Sequence, residues 1–254
     1  DHAAVPQLGR FLLRADAMLR HRGIWLSFDG IDQLAKLNAE HYDTWGRFAP
    51  QLDMRVADLG GDEAYCLIGR NRAGEIVAAQ AGRVYSVGAH TLQDIADDRS
   101  LYYGRSAPPK GGLTCELTAP GARRITDRFV YSGGLWVRPD HRGQKLAGLL
   151  PRVSRAYALG KFQTDYTFAF IGEKMAASPL YRLYGYPRCE PAYTFFEDGQ
   201  RIYTGSLMWM TTLELLADLA DFVHWVMSGI DPFATSLAEG AIPEFAIVGV
   251  NSQG

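Results

Sequence analysis

The run FVYSGGLWV (129–137) is β-branched and aromatic, stops at Pro139, and gives way through Arg142 and Gly143 to a helical pattern, GQKLAGLLPRVSRAYALGKF. A strand that must turn through Arg and Gly straight into a helix leaves few architectures open. The first turn of that helix exposes N–H groups with no intrahelical acceptor, and the macrodipole adds partial positive charge. Arg142 and Lys145 can add charge-assisted bonds, and Arg138 and His141 lie close by in sequence. The turn therefore predicts a seat for a phosphate-bearing ligand, with a solvated helix start as the plain alternative.

The flanking segments fit one mixed sheet. VPQLGRFLLRADAMLRHRG has helical spacing and is closed by Gly23; IWLSF reads as a strand; and Asp29 can cap a helix over IDQLAKLNAEHYDTWGRF. Two β-rich runs around NRAG predict an antiparallel hairpin. Between about 88 and 128 the pattern weakens, with loops at SAPPKGG and TAPGARR and a short helix at HTLQDIADD, so this section reads as an insertion. Downstream, Pro151 inside the helix predicts a kink, DYTFAFIGE is an apolar strand, AASPLYRLYGY a short helix stopping at Gly185, and AYTFFE and RIYTGSLMW two further strands. The fold class expected is α/β, a mixed central sheet flanked by helices. The divisions expected are an N-terminal helix (1–23), a core (24–196) carrying the 88–128 insertion, and a C-terminal extension (197–254) packed on that core.

Composition narrows the function. With 254 residues, 47% hydrophobic and a formal net charge of -2, the chain can bury a sizeable core and offers no broad attraction to nucleic acid. Cys66, Cys115 and Cys189 are far apart and odd in number, which fits neither a disulfide framework nor a zinc knuckle and points to a reducing, cytoplasmic setting. The six histidines show no metal-ligand spacing. Glu214, Asp218, Asp221 and His224 interrupt the apolar tail, so it reads as an amphipathic helix and not a membrane span. That helix, TTLELLADLADFVHWVM, either packs on its own core or forms a homodimer interface, with its own core preferred.

The stretch Val137-Arg138-Pro139-Asp140-His141-Arg142-Gly143-Gln144-Lys145-Leu146-Ala147 resembles the acyl-CoA motif of the GCN5-related N-acetyltransferases (GNAT), in which a strand passes through Val-x-Pro and an Arg-Gly-x-Gly-x-Gly/Ala turn into a helix. SPLYRLYGYPRCEP is similar to the family's closing element, with Tyr181, Gly185 and Tyr186 in place. Two positions depart from the pattern. Lys145 stands at the central glycine and is expected to swing outward and pair with a phosphate, and Lys174 replaces an asparagine. The likeness covers roughly 24–196 and leaves 88–128 and the tail unmatched.

The resemblance implies an N-acyltransferase moving an acetyl or other acyl group directly from acyl-CoA to a small-molecule amine or amino-acid acceptor. Leu135, Trp136 and Val137 would offer backbone N–H groups to the thioester and pantetheine arm, where their strand parts from DYTFAFI. Arg138, Arg142, Gly143, Gln144, Lys145, Leu146 and Ala147 would hold the pyrophosphate. Tyr181 would be the acid for the departing thiolate, and Tyr184 packing or pocket lining. Glu116, Asp127 and Glu173 are the acidic candidates for a base, Glu173 the best of them. Arg152, Arg155 and Lys161 read as a solvated helix face before a contact to the 3'-phosphate. Two alternatives remain: a longer-chain acyltransferase fed by acyl carrier protein or acyl-CoA, and a CoA-binding sensor without turnover.

Overall fold

One eight-stranded sheet organises the computed structural model, which describes residues 4–57, 59–60 and 62–234. Its strands are β1 (Trp25–Asp29), β2 (Ala64–Arg70), β3 (Ile76–Thr91), β4 (Leu113–Leu117), β5 (Thr126–Val137), β6 (Tyr166–Gly172), β7 (Arg188–Glu197) and β8 (Gln200–Thr211). They run in the order β1-β2-β3-β5-β6-β8-β7-β4. Every neighbouring pair is antiparallel except β5–β6, which is parallel. The expected hairpin forms between β2 and β3, where the Asn71 side chain accepts from the N–H groups of Ala73 and Glu75 and Gly74 takes a positive φ.

Period-two alternation sends strand side chains to two cores. Phe129 and Tyr131 of β5 and Phe168 of β6 join one with Leu34, Leu52, Tyr85, Tyr193 and Phe195. Ala169 and Ile171 join the other, beneath α1 (Ala4–His21), α6 (Leu146–Phe162) and α8 (Thr212–Met227). Helix α6 buries Leu146, Leu149, Leu150, Val153 and Ala156 there, the stripe its 3.6 period requires. It runs unbroken through Pro151. On α8, Leu215, Leu219 and Phe222 are buried, and Phe222 meets Phe11 of α1 edge to face at 5.6 Å, so the helix packs on its own chain. No helix among the described residues is long and apolar enough to cross a membrane.

Several expectations need correction. Asp29 caps nothing. It is the last residue of β1, paired with Cys66, because strand pairing continues one position further; α2 (Asp32–Glu40) starts without a side-chain cap. The single helix expected to Phe48 breaks at His41 into α2 and α3 (Tyr42–Trp45). The helix expected before Gly185 is split by Ser178-Pro179 into α7 (Glu173–Ala176) and a 3-10 turn over Pro179–Tyr184.

The 88–128 section holds the end of β3, α4 (Leu92–Asp97) with its Thr91–Asp94 capping box, α5 (Ser100–Tyr103), and β4 at the far edge of the sheet. The extension expected from 197 begins inside the sheet, since β8 lies between β6 and β7; its residues 235–254 lie outside the described ones. Arg152 and Arg155 are not on a solvated face. At 1% and 0% exposure they meet Asp218 of α8 and the carbonyls of Leu183 and Tyr184, locking α6, α8 and the 3-10 turn together.

Candidate active site

Strands β5 and β6 pair only at Phe129–Tyr131 opposite Tyr166–Phe168. Beyond that β5 continues to Val137 bonded only to β3, and β6 to Gly172 bonded only to β8. The two parallel strands therefore part, and the β5 edge facing β6 carries backbone groups with no sheet partner. A bulge sharpens the parting. Ala81 faces Gly133 and Ala79 faces Trp136, so β5 holds one residue more than β3 over that stretch, and Gly134 accommodates it at φ 64°. A side chain at 134 would also crowd Leu52, whose Cδ1 would lie 3.0 Å from an added Cβ.

The start of α6 closes the mouth of this wedge. Gly143 (φ 79°) and Lys145 (φ 60°) both take positive φ, which curls the backbone into a concave turn. Among the hydrogen bonds of the described residues, the N–H groups of Gly143, Gln144, Lys145, Leu146 and Ala147 have no acceptor; the first paired one is Gly148, bonded to Lys145 O. Five adjacent donors at a helix N-terminus form a ready anion seat.

Wedge and seat open into one cleft of about 570 Å3. Of the residues expected to bind coenzyme, Leu135, Trp136, Val137, Arg142, Gly143, Lys145, Leu146 and Ala147 line it. The opposite wall is Thr44 and Trp45 of α3, which no sequence motif singled out. Trp136 stacks on His41 at 4.4 Å and Trp45 at 5.4 Å, and its Nε1 donates to the Thr44 hydroxyl, so α3 is held against β5. Arg142 ties the same elements, donating to Val137 O and Thr44 O.

Three of the side chains expected at the coenzyme are placed otherwise. Arg138 does not face the cleft: its guanidinium is bound to Asp140 and Glu75, which neutralise it. Gln144 is not on the cleft wall. Lys145 swings outward as expected, but its ammonium pairs with Asp231, just beyond α8, and lies 5.7 Å from the Phe233 ring centroid. That partner comes from a segment 86 residues away, which no local pattern relates to the turn.

The catalytic candidates are rearranged as well. Tyr181 faces a different pocket, beside Pro187 and Trp225, whereas Tyr184 lines the cleft. Both tyrosines belong to the 3-10 turn, which Arg152 and Arg155 anchor at the carbonyls of Leu183 and Tyr184. Burial, with Tyr186 nearby, pushes the Tyr184 phenol above its ordinary value, so it stays protonated at neutral pH. Glu173 is exposed and accepts from the Thr204 hydroxyl, and Lys174 beside it is exposed too. Glu116 sits on β4 at the far sheet edge and Asp127 at the opposite end of β5, so neither reaches the wedge. Among the described residues no group of three His, Cys, Asp or Glu side chains is placed to hold a metal.

No family model and no curated protein matches the chain. Among the solved structures similar to it are three whose likeness spans most of the chain. FeeM, an N-acyl amino acid synthase from uncultured soil microbes, is 14% identical with a TM-score of 0.46, covering 78% of this chain and 97% of that one. The spermidine/spermine N-acetyltransferase SpeG of Vibrio cholerae is 8% identical with a TM-score of 0.45, covering 77% and 98%. Arabidopsis thaliana NAA60 in complex with acetyl-CoA is 15% identical with a TM-score of 0.44, covering 75% and 99%.

Proposed function

We propose that the chain is a GNAT-type N-acyltransferase that moves an acyl group from acyl-CoA to the primary amine of a small molecule or amino acid. The observation that carries this reading is the parting of β5 and β6 directly over five unaccepted N–H groups at the start of α6. A diphosphate fits those donors, and a narrow pantetheine arm fits the open β5 edge, where it would complete the interrupted sheet hydrogen bonding. In the transfer the acyl carbon–sulfur bond breaks and an acyl–nitrogen bond forms. The amine loses a proton to water and the thiolate takes one up. The β5 N–H groups past the bulge polarise the thioester carbonyl. Tyr184, protonated and on the cleft wall, is the proton donor the site supplies in place of Tyr181.

The second reading, coenzyme binding without turnover, is favoured by one observation: among the described residues no carboxylate, and no histidine other than His141, lines the cleft. Steady-state assay decides. Purified protein with acetyl-CoA, longer acyl-CoA and a panel of primary amines and amino acids is expected to release free thiol. Calorimetric binding of CoA with no thiol release across the panel supports the sensor, and no binding of CoA overturns both. Comparing donors of different length separates acetyl transfer from longer-chain transfer.

A further inference from the structure

We propose a second small-molecule site, for a ligand bearing a planar carboxylate on a short aliphatic body, built around Arg83. It lies apart from the wedge. Arg83 faces Tyr131 across β3 and β5, and a cleft of about 670 Å3 opens beside residues 83–87, toward the end of β3 away from where β5 and β6 part. Arg83 is 3% exposed, yet among the described residues no carboxylate lies within ion-pair distance of it. Glu63, on the same cleft, is paired instead with Arg105 at 3.4 Å. A buried guanidinium without a counter-charge is costly and calls for an explanation.

Part of the explanation is internal. Nη1 donates to the carbonyls of Gln51, Leu101 and Tyr102 at 3.1–3.2 Å, and the guanidinium carbon lies 4.8 Å from the Tyr85 ring centroid. These contacts fix its position and use one nitrogen. Among the described residues Nε and Nη2 have no acceptor within hydrogen-bond distance, and Arg83 lines the cleft. Those two N–H groups form the parallel edge that matches the two oxygens of a carboxylate. Gly104, at φ 58°, keeps that edge clear: a Cβ there would stand 2.9 Å from Nη2. Val87 and Ile95 on the cleft wall suit an aliphatic body, and Ser106 stands exposed at its mouth.

The test uses 15N-labelled full-length protein and follows the Arg83 Nε–H resonance, assigned through its own backbone, during titration with propionate, glutarate or inorganic phosphate. The expected result is a saturable shift with both carboxylates. Ser106→Trp, which fills the mouth without touching Arg83, should weaken that binding by about tenfold with melting temperature unchanged. Arg83→Lys, which keeps the charge and loses the paired edge, should abolish it; if that variant does not fold, the Ser106→Trp comparison decides alone. A resonance unmoved by either carboxylate means Arg83 only clamps carbonyls and overturns the proposal. A shift with phosphate alone, or binding insensitive to Ser106→Trp, overturns it equally. None of these readouts involves acyl transfer, so failure here leaves the function proposed above untouched.

Discussion

Replacing Lys145 with glycine tests whether the anion seat is made by backbone or by side chain. Lys145 sits at φ 60° and ψ 22°, a conformation costing a non-glycine residue about 1–2 kcal/mol. Glycine removes that strain but adds about 0.5–1 kcal/mol of unfolded-chain entropy. The ion pair with Asp231 is lost, but both side chains are more than two-fifths exposed, so it is worth about 0–1 kcal/mol. The sum lies between about −1 and +1.5 kcal/mol, a melting shift of no more than roughly 6 °C for a chain of this size. The five N–H groups keep their directions, because glycine holds the same φ without strain. Affinity for CoA by calorimetry is therefore expected to change by less than about threefold, roughly 0.7 kcal/mol. A loss of about thirtyfold or more, roughly 2 kcal/mol, with the fold intact, would show that the ammonium leaves Asp231 for a phosphate and would refute a seat made by backbone.

Other perturbations have defined outcomes. Tyr184→Phe should lower kcat for thiol release with little change in the acyl-CoA KM, whereas Tyr181→Phe should leave both close to wild type; the reverse would restore Tyr181 as the acid. Because the Tyr184 phenol is raised, its ionisation should not limit the rate until pH exceeds about 10, which a pH–rate profile reads directly. Asp218→Asn removes the carboxylate facing two fully buried arginines and should cost about 3–5 kcal/mol, read as a lower urea midpoint. Burial raises the Glu214 carboxyl, but its bonds to Arg188 and the Thr211 N–H outweigh that and hold it below its ordinary value. A depressed carboxyl contributes stability above its unfolded pKa of about 4.3 and loses it as pH falls through the folded value, so Glu214→Gln should be less stable at pH 7 and show a shallower loss of stability on acidification below about pH 5.

Features that depend on neighbours along the chain were determined by the amino-acid sequence unaided. The β2–β3 hairpin around Asn71, the strand ended by Pro139, the α6 stripe and the Gly185 stop all follow from local propensity and periodicity, and each stands where the pattern put it. The seat was legible for the same reason, since its donors belong to consecutive residues from Gly143 to Ala147. The bulge at Gly134 had a signal in the Gly-Gly pair inside a strand, though that pair does not say which strand edge is released.

Contacts between distant segments were decided only by folding. Arg152 and Arg155 fall on a helix whose pattern does not reveal that α8 covers it with Asp218; a buried charge is set by its partner, and that partner lies 66 residues away. Lys145 meets Asp231 for the same reason, and the 3-10 turn that places Tyr184 on the cleft wall is held by arginine bonds from α6. Local sequence specifies dihedral angles and periodicity, while side-chain partners across the fold arise from how the layers pack, so the turn with its unaccepted N–H groups was readable in the chain and the groups around it were not.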